Sequence, residues 1–295
     1  MKILNFGSLN VDYVYKVDHI TMAGETQSSS CMQVFAGGKG LNQSIAMAKA
    51  GIKVHHAGII GEDGDILVRM CQDNNIDISY LKTVDHKSGH TIIQVDKNGQ
   101  NCILLSSGSN GMIDEEYVDK VLDNFEEGDI IILQNEINML DYIIRKAFEK
   151  SMTIVLNPSP YNDIIMNCDL SKVSIFIMNE IEGKSISGGK DKPEEILDVM
   201  LEKYPNSTVV LTLGEDGAYY SSKDGRYYQP IFTAEAVDTT AAGDTFTGYF
   251  IRGYINDSSI QESLRLAACA ASITVSREGA AGSIPFYNEV NNLLV

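Results

Sequence analysis

The sequence has 295 residues, 44% of them hydrophobic and 21% charged, so it can bury a core of normal size and is neither disordered nor fibrous. It carries 23 basic against 40 acidic residues, which gives a net charge of −17 at pH 7. This charge repels nucleic-acid phosphates and anionic lipid, which argues against nucleic acid and membrane surfaces as partners. Any phosphate bound here needs local neutralisation by a metal ion, a lysine or backbone amides.

The five cysteines are widely scattered and form no Cys-x-x-Cys pair, a spacing that predicts reduced thiols and a cytoplasmic protein. No stretch of the sequence approaches the ~20 apolar residues of a membrane span. Asp12 comes too early in the chain for a secretory signal sequence.

Strands outnumber helices among the elements predicted for the first part of the chain. In chain order they are strands at residues 2–7, 11–17 and 26–35, a helix between 38 and 51, a strand at 54–60, a helix at 63–75, and a hairpin of strands at 91–96 and 101–105. Leu41, Ile45 and Ala48 share one face of the first helix, and Gly51 suits its C-terminal cap.

The rest of the chain alternates apolar strands with amphipathic helices. The predicted order is a helix at 114–125, a strand at 129–133, a helix at 140–150, strands at 153–156 and 174–178, a helix at 194–204, a strand at 209–213, a hairpin of 217–221 and 226–229, and two closing helices at 243–254 and 259–276. Such runs indicate βαβ units around a central parallel sheet, which defines an α/β fold.

The alternating strands near the start do not suit a sheet that is covered on both faces. We expect them to form a small projecting sheet, contributed by insertions at about 11–35 and 88–106 of a single domain spanning residues 1–295. Val14, Val17, Ile92 and Ile93 would give this sheet apolar surface for packing, and a second copy of the chain is one candidate to cover it.

The segment AVDTTAAGDTF, residues 236–246, leads small residues directly into a predicted helix. Unpaired amides at a helix N-terminus attract anions, and small side chains let a phosphate approach them closely. Asp244 would face the same anion, which is unfavourable unless its carboxylate performs chemistry, such as accepting a proton from a hydroxyl. A simple helix cap is the alternative role for Asp244.

Two motifs resemble the signatures of the ribokinase family of sugar kinases, the PfkB group. One is Asp-Thr-x-Ala-Ala-Gly-Asp at residues 238–244, and the other is Gly-Gly-Lys-Gly-Leu-Asn-Gln at residues 37–43. The resemblance runs from Asn10 to Pro285 with the motifs in the family order. It implies a three-layer α/β/α body with a mostly parallel central sheet, a small β-sheet lid, and an enzyme that uses ATP and Mg²⁺. The expected homodimer rests instead on the apolar faces of the projecting strands.

The resemblance implies a role for each matching residue near the end of the motif at residues 238–244. Asp244 would be the general base, and the amides of Ala241, Ala242 and Gly243 would form the anion hole for the transferred γ-phosphoryl group. Positioning and charge stabilisation dominate phosphoryl transfer, so a base beside a ring of N–H donors is a sufficient minimal site.

A sugar pocket is implied in the same way. The matching residues are Asn10, Asp12, Gly38, Lys39, Gly40, Asn42 and Glu136. Amides and carboxylates suit sugar hydroxyls because together they supply hydrogen-bond donors and acceptors. Without the family, an Asx turn is the favoured interpretation of Asn10 and Asp12. For Glu136, a solvated acid at a helix start is the alternative.

Further motifs resemble the nucleotide and Mg²⁺ sites of the family. Asn179 and Glu182 match an Asn-x-x-Glu motif, and Mg²⁺ held through one carboxylate and several waters is chemically sensible. The alternative is a pair of polar residues that only begins a helix. The residues assigned to the nucleotide are Asn179, Thr212, Gly214, Gly217, Gly243 and Ala268, with Glu182 assigned to the metal.

A monovalent cation, K⁺, is also implied. Its oxygen cage would consist of the carbonyls of Thr240, Thr274, Arg277 and Gly279 with the side chains of Asp238 and Ser283. In the alternative, Asp238 only hydrogen-bonds the loop amides. Gly282 stands where the family often has proline.

The expected function is ATP-dependent phosphorylation of a sugar hydroxyl, with D-ribose as substrate because the Gly-Gly-Lys-Gly-x-Asn-Gln form is ribokinase-like. Three alternatives stay open: another small sugar such as deoxyribose, a nucleoside, or a catalytically silent sugar- or nucleotide-binding protein on the same fold. A Rossmann oxidoreductase does not fit, because no early glycine-rich turn opens a βαβ unit with an acid ~20 residues on.

Overall fold

A computed structural model describes residues 1–294 of the chain. Its strands are β1 (Ile3–Phe6), β2 (Asn10–Lys16), β3 (Cys31–Gly37), β4 (Val54–Gly61), β5 (Asp77–Val84), β6 (Gly89–Val95), β7 (Asn101–Ser106), β8 (Ile130–Gln134), β9 (Thr153–Asn157), β10 (Ile175–Asn179), β11 (Thr208–Thr212), β12 (Ala218–Ser222) and β13 (Gly225–Gln229). Its α-helices are α1 (Lys39–Lys49), α2 (Asp65–Asp73), α3 (Glu115–Leu122), α4 (Leu140–Glu149), α5 (Asp163–Met166), α6 (Glu180–Ile186), α7 (Pro193–Lys203), α8 (Ala242–Ile255), α9 (Ile260–Val275) and α10 (Tyr287–Leu294).

The central sheet has nine strands in the order β13-β12-β11-β10-β9-β8-β1-β4-β5. Neighbouring strands from β11 to β5 pair in parallel, whereas β12 and β13 add an antiparallel edge. This arrangement confirms the predicted α/β fold with a mostly parallel central sheet.

Apolar residues on both faces of the sheet create the three layers. Within β1, Ile3 belongs to one buried cluster and Leu4 to the other, because successive side chains of a strand point to opposite faces. Helices α1, α8 and α9 contribute to the first cluster, and α3, α4 and α7 to the second. None of the helices within residues 1–294 is both long enough and apolar enough to cross a membrane.

Five elements differ from the sequence predictions, two of them the short helices α5 and α6, which were not among the predicted elements. Strand β5 was not predicted, because DISYLKTV begins with an acid and is only partly buried at the edge of the sheet. Strand β3 begins at Cys31 rather than at residue 26. A third helix, α10, follows the two closing helices, and its short amphipathic sequence buries Val290.

Four strands form a second sheet in the order β3-β2-β6-β7. Strand β2 begins shortly after β1 ends, and β6 follows β5, so this sheet stands at the carboxyl ends of the central strands, where open α/β sheets bind ligands. The β6–β7 hairpin turns at Gly99, whose φ of 79° lies in the left-handed region, as the Asn-Gly pair predicted. We refer to these four strands as the lid.

Candidate active site

Helix α8 places Asp244 in the cleft between the lid and the carboxyl ends of the central strands. The chain enters the helix through Ala241, which has a left-handed φ of 61°, and this turn places Asp244 in the first helical turn. Asp244 is only 6% exposed. Asn42 Nδ2 donates to its Oδ2 at 3.2 Å, and Gln43 Nε2 donates to its Oδ1 at 3.0 Å. Each carboxylate oxygen thus receives one N–H and keeps a lone pair for a substrate hydroxyl.

Close packing of α1 on α8 makes these contacts possible. A Cβ on Gly248 would lie 2.5 Å from the Cβ of Ala46, so only glycine allows the two helices to approach this closely. Gly248 lies one turn beyond Asp244, and Ala46 one turn beyond Asn42. The same glycine that packs the helices therefore brings the two amides within reach of the carboxylate.

The start of α8 also offers free backbone donors. The amides of Ala241, Gly243 and Asp244 donate to no acceptor within residues 1–294, whereas the Ala242 amide makes a long bond of 3.3 Å to the Thr239 carbonyl. A Cβ built on Gly243 would meet no atom within 4 Å, so the space above this amide is open. The Asp244 amide is a donor that the sequence analysis missed, and Ala242 is less available than expected.

Hydrogen bonds hold the side chains that the resemblance assigns to the sugar. Asn10 is buried, and its Oδ1 accepts a 2.7 Å bond from Asn110 Nδ2. Glu136 Oε2 accepts the Ser8 hydroxyl at 2.5 Å and the Lys39 amide N–H at 3.0 Å. These bonds fix the orientation of both side chains, so the pocket is formed before any ligand arrives.

Glycines at the start of α1 let the helix approach the end of β1. Gly38 has a φ of 94°, which favours glycine, and it is the residue that precedes the helix. A Cβ on Gly40 would lie 2.4 Å from the Ser8 nitrogen. The two glycines therefore act through backbone geometry, and they place Lys39 and Asn42 in the cleft.

Charged groups in this pocket have shifted pKa values. Burial raises the pKa of Asp12 to about 6, although a 2.5 Å bond from the Thr91 hydroxyl opposes the rise and the charge of Glu136 adds to it. Burial acts to lower the pKa of Lys39, but the carboxylates of Asp244, Glu136 and Glu182 outweigh it, so the pKa of Lys39 lies above its ordinary value. Lys39 is therefore a permanent cation among these carboxylates.

One buried polar atom of the pocket has no partner within residues 1–294. Asn42 donates through Nδ2 to Asp244, but its Oδ1 accepts no hydrogen bond. A buried acceptor without a donor is unfavourable, and a ligand hydroxyl placed here would satisfy it. This observation supports a hydroxylated ligand beside Asp244.

Sequence reasoning missed the residues that brace the pocket, namely Ser8, Thr91 and Asn110. A Cβ on Gly89 would lie 2.0 Å from Asn110 Nδ2 and 2.4 Å from Asn10 Oδ1, so this glycine makes room for the amide pair. No local pattern announces such contacts, because Asn10 and Asn110 are brought together by the lid and the body only after folding.

A cavity of about 570 Å³ opens beside the start of α8. Its walls include Thr212, Gly214, Gly217, Gly243 and Ala268, which are residues that the resemblance assigns to the nucleotide. The remaining walls include Ile231, Phe232, Phe246 and Val275, which the sequence analysis did not single out. Apolar and aromatic walls of this kind suit the flat face of a nucleobase.

Asn179 and Glu182 form a capping box at the start of α6. The Asn179 side chain accepts the N–H groups of Ile181 and Glu182, and Glu182 Oε2 accepts the Asn179 N–H at 2.8 Å. This is the helix-start role that the sequence left open, and it leaves Glu182 Oε1 for another partner. No group of three or more His, Cys, Asp or Glu side chains within residues 1–294 is arranged to hold a metal ion.

Asp238 ties the loop before α8 to the segment after α9. Its two oxygens accept the N–H groups of Thr240 and Gly279, each at 2.9 Å, and these bonds hold the pKa of Asp238 below its ordinary value although burial acts against them. The carbonyls of Thr240, Arg277 and Gly279 accept no hydrogen bond from the described residues, whereas that of Thr274 accepts the Arg277 amide at 3.1 Å. The Ser283 hydroxyl donates to the Ala280 carbonyl.

The fold and the site together fit one class of enzyme, an α/β phosphotransferase, because a buried carboxylate lies beside both a polar pocket and a helix start with free backbone amides. The model of the pfkB family of carbohydrate kinases matches residues 1–286. The chain belongs to this family and is a carbohydrate kinase.

Individual relatives agree with the family. The chain is 32% identical to the ribokinase of Haemophilus influenzae over 98% of its own length and 96% of that protein, and 28% identical to the deoxyribokinase of Salmonella typhimurium over 100% and 99%. The crystal structure of a ribokinase from Thermotoga maritima superposes with a TM-score of 0.89 at 31% identity, covering 100% of this chain and 99% of that one. An Arabidopsis thaliana ribokinase complexed with ribose and ATP has a TM-score of 0.86 at 26% identity, covering 99% and 98%.

Proposed function

We propose that this carbohydrate kinase transfers the γ-phosphoryl group of Mg-ATP to D-ribose and forms D-ribose 5-phosphate and ADP. The observation that carries the proposal is the position of Asp244. It lies buried between the hydroxyl-binding pocket on one side and the free amides of Gly243 and Asp244 on the other. Similarity to ribokinases over nearly the whole chain supports ribose as the sugar.

In this mechanism the polar pocket holds and orients the sugar. Asn10, Asp12, Asn42 and Glu136 offer amide and carboxylate groups, and the unpartnered Asn42 Oδ1 accepts a sugar hydroxyl close to the base. Asp244 then accepts the proton of the attacking hydroxyl. As the hydroxyl oxygen bonds to the γ-phosphorus, the bond from phosphorus to the bridging oxygen of ADP breaks.

The start of α8 stabilises the phosphoryl group. Amides of Ala241, Gly243 and Asp244 are fixed donors at a helix N-terminus, so they need little reorganisation as charge develops on the phosphoryl oxygens. Lys39 supplies positive charge from the sugar side. Mg²⁺, when bound, neutralises the nucleotide phosphates, and Glu182 Oε1 is the group of this chain that would hold it through water.

We further propose that K⁺ supports the loop before α8. The free carbonyls of Thr240, Arg277 and Gly279 offer hard oxygen ligands beside Asp238. Such an ion would raise kcat through the loop and would leave the sugar KM unchanged. Activity in K⁺ against a large organic cation at equal ionic strength tests this, and equal rates would contradict it.

A different pentose or a nucleoside is the second candidate for the substrate, favoured by the 28% identity to a deoxyribokinase over the whole chain. The deciding experiment measures ADP release with D-ribose, 2-deoxyribose, hexoses and nucleosides, each at a range of concentrations. We expect the highest kcat/KM for D-ribose and no ADP release without sugar. A higher kcat/KM for 2-deoxyribose or a nucleoside would identify that compound as the substrate in place of ribose and leave the proposed phosphoryl transfer unchanged.

We propose that the chain folds as a single kinase domain and forms a cytoplasmic homodimer through its lid. Phe35, Ile103 and Leu105 are 46%, 56% and 46% exposed, and strand register places them on the same lid face as Asp12. Sedimentation tests the dimer: Ile103→Lys should give monomers, whereas Ile164→Lys, at an exposed isoleucine outside the lid, should not. A monomeric native chain at micromolar concentration would contradict the dimer.

A further inference from the structure

A continuous set of buried polar side chains lies beneath Asp244. Its members, all 0% exposed, are Asn5, Gln43, Ser44, His56 and Gln134. None of them is assigned to sugar or nucleotide. Fully buried polar groups are unfavourable unless they are hydrogen-bonded, so this concentration under the base needs a reason.

One branch of hydrogen bonds in this set leads to Asp244, with each side chain donating to the next. Gln134 Nε2 donates to Gln43 Oε1 at 2.7 Å, and Gln43 Nε2 donates to Asp244 Oδ1 at 3.0 Å. Because Gln134 occupies the oxygen of the Gln43 amide, that amide must turn its N–H groups towards Asp244.

A second branch leads away from the base. Gln134 Nε2 also donates to Asn5 Oδ1 at 2.9 Å, and Asn5 Nδ2 donates to Ser44 Oγ at 2.8 Å. The His56 Nε2–H donates to the Gly7 carbonyl at 3.3 Å, so Nδ1 is the acceptor and the Ser44 hydroxyl donates a hydrogen bond to it at 2.8 Å. The ring is neutral because burial lowers the pKa of His56 to about 4.

The two acceptors of Gln134 determine which way its amide faces. Both N–H groups of Gln134 are used, by Asn5 and by Gln43, and its Oε1 accepts no bond within residues 1–294. A Cβ on Gly7 would lie 2.1 Å from this oxygen, so glycine at 7 leaves the room that the side chain needs. Asn5, which also donates to the Gly40 carbonyl at 2.6 Å, thus holds Gln134 without needing Ser44, and Gln134 holds Gln43.

We propose that Gln43, oriented by Gln134, is a positioning residue that keeps Asp244 turned towards the substrate hydroxyl. This inference rests on the proposed role of Asp244 as the base. A carboxylate that receives a fixed N–H is restrained in its rotation. Without Gln43, Asp244 keeps only the Asn42 bond and samples other orientations.

The test compares Gln43→Met, which has a similar length but no N–H, with Ser44→Ala on the branch that leads away from Asp244. The readouts are kcat, the sugar KM and the thermal midpoint. Lys39, whose charge interacts with that of Asp244, is unchanged in both variants.

We expect Gln43→Met to lower kcat about 10-fold or more, with the sugar KM within about 3-fold of the original. Ser44→Ala should lower the thermal midpoint but leave kcat within about 2-fold, because the Gly40 carbonyl still holds Asn5.

Equal kcat losses in the two variants, or a sugar KM in Gln43→Met that rises as much as kcat falls, would overturn the inference and leave a purely structural role. If Gln43→Met does not fold, Gln134→Met serves instead, because it frees the Gln43 amide to turn its oxygen towards Asp244. Its kcat should fall while its sugar KM stays within about 3-fold of the original. Asp244→Asn is measured in parallel: if it keeps near-normal turnover, the proposed base itself fails, independently of Gln43.

Discussion

The two halves of the cleft that meet at Asp244 are made from different chemical groups. The half assigned to the sugar consists of buried, mutually hydrogen-bonded side chains, among them Asn10, Asn42 and Glu136. The half assigned to the nucleotide consists of free backbone amides and apolar walls such as Phe232 and Phe246. The sugar half should therefore depend on side-chain identity, whereas the nucleotide half should depend on backbone shape and open space.

This difference follows from the ligands. A sugar presents several hydroxyls in a fixed arrangement, and paired donors and acceptors distinguish such arrangements strongly, because a mismatch leaves a buried group without a partner. A triphosphate presents charge and a flat ring, which helix amides and apolar surface accommodate without specific side chains. Variants of the two halves should differ accordingly.

The largest effect is expected where the two halves meet. Asp244→Asn keeps the shape of the side chain but removes the proton acceptor, so kcat should fall about 10²–10⁴-fold in a steady-state ADP assay. Asp224→Asn, at an exposed turn outside the cleft, should leave kcat unchanged. A kcat for Asp244→Asn within about 3-fold of the original would contradict the role of a general base.

Gly243→Ala tests the backbone character of the nucleotide half. The added Cβ meets no protein atom, so the thermal midpoint should not fall, and alanine is the better helix former. The methyl group nevertheless occupies the space above a free amide, so kcat/KM for ATP should fall about 10-fold, as loss of a charge-assisted bond predicts. Gly282→Ala, whose Cβ also meets nothing, is the matched control, and an equal loss in both would refute the assignment.

The sugar half should respond to pH through Asp12. Its pKa of about 6 means that the side chain is protonated below that pH and ionised above it, so kcat/KM for sugar should fall as pH drops through 6. In Asp12→Asn this fall in kcat/KM near pH 6 should disappear, and the sugar KM should rise about 10-fold. If the fall near pH 6 persists in Asp12→Asn, a group other than Asp12 causes it.

The same substitution should stabilise the fold. An acid whose pKa is raised by folding favours the folded state below its unfolded pKa, and this advantage is lost as pH rises through 6. Asp12→Asn removes the buried charge, so at pH 8 it should raise the free energy of unfolding by about 1–3 kcal/mol. Thermal unfolding at pH 8 and pH 5 checks this, because the gain should shrink at the lower pH.

The smallest effect is expected for a polar side chain in the nucleotide half. Ser272 lines the apolar cavity, and Ser272→Ala should change the KM for ATP by no more than about 2-fold. Asn42→Ala, in the sugar half, should raise the sugar KM about 10-fold. Equal effects on the two substrates would remove the distinction between the halves.

Much of the fold was predictable because continuous apolar strands and amphipathic helices give strong local signals. Strand β5 escaped prediction because an edge strand carries half-exposed residues, such as Lys82, that do not distinguish it from a loop. The motif residues of the site were predictable from the family resemblance. Gln134 and Asn110 were not, because each acts on a residue about 90–100 positions away in the chain.

The most direct test of the account is a calorimetric titration of D-ribose into the Asp244→Asn variant. If side chains of the sugar half bind ribose and Asp244 serves the chemistry, the dissociation constant should stay within about 3-fold of that of the original protein while turnover is lost. A dissociation constant weakened in proportion to kcat would show that Asp244 contributes to binding instead, and would contradict the account.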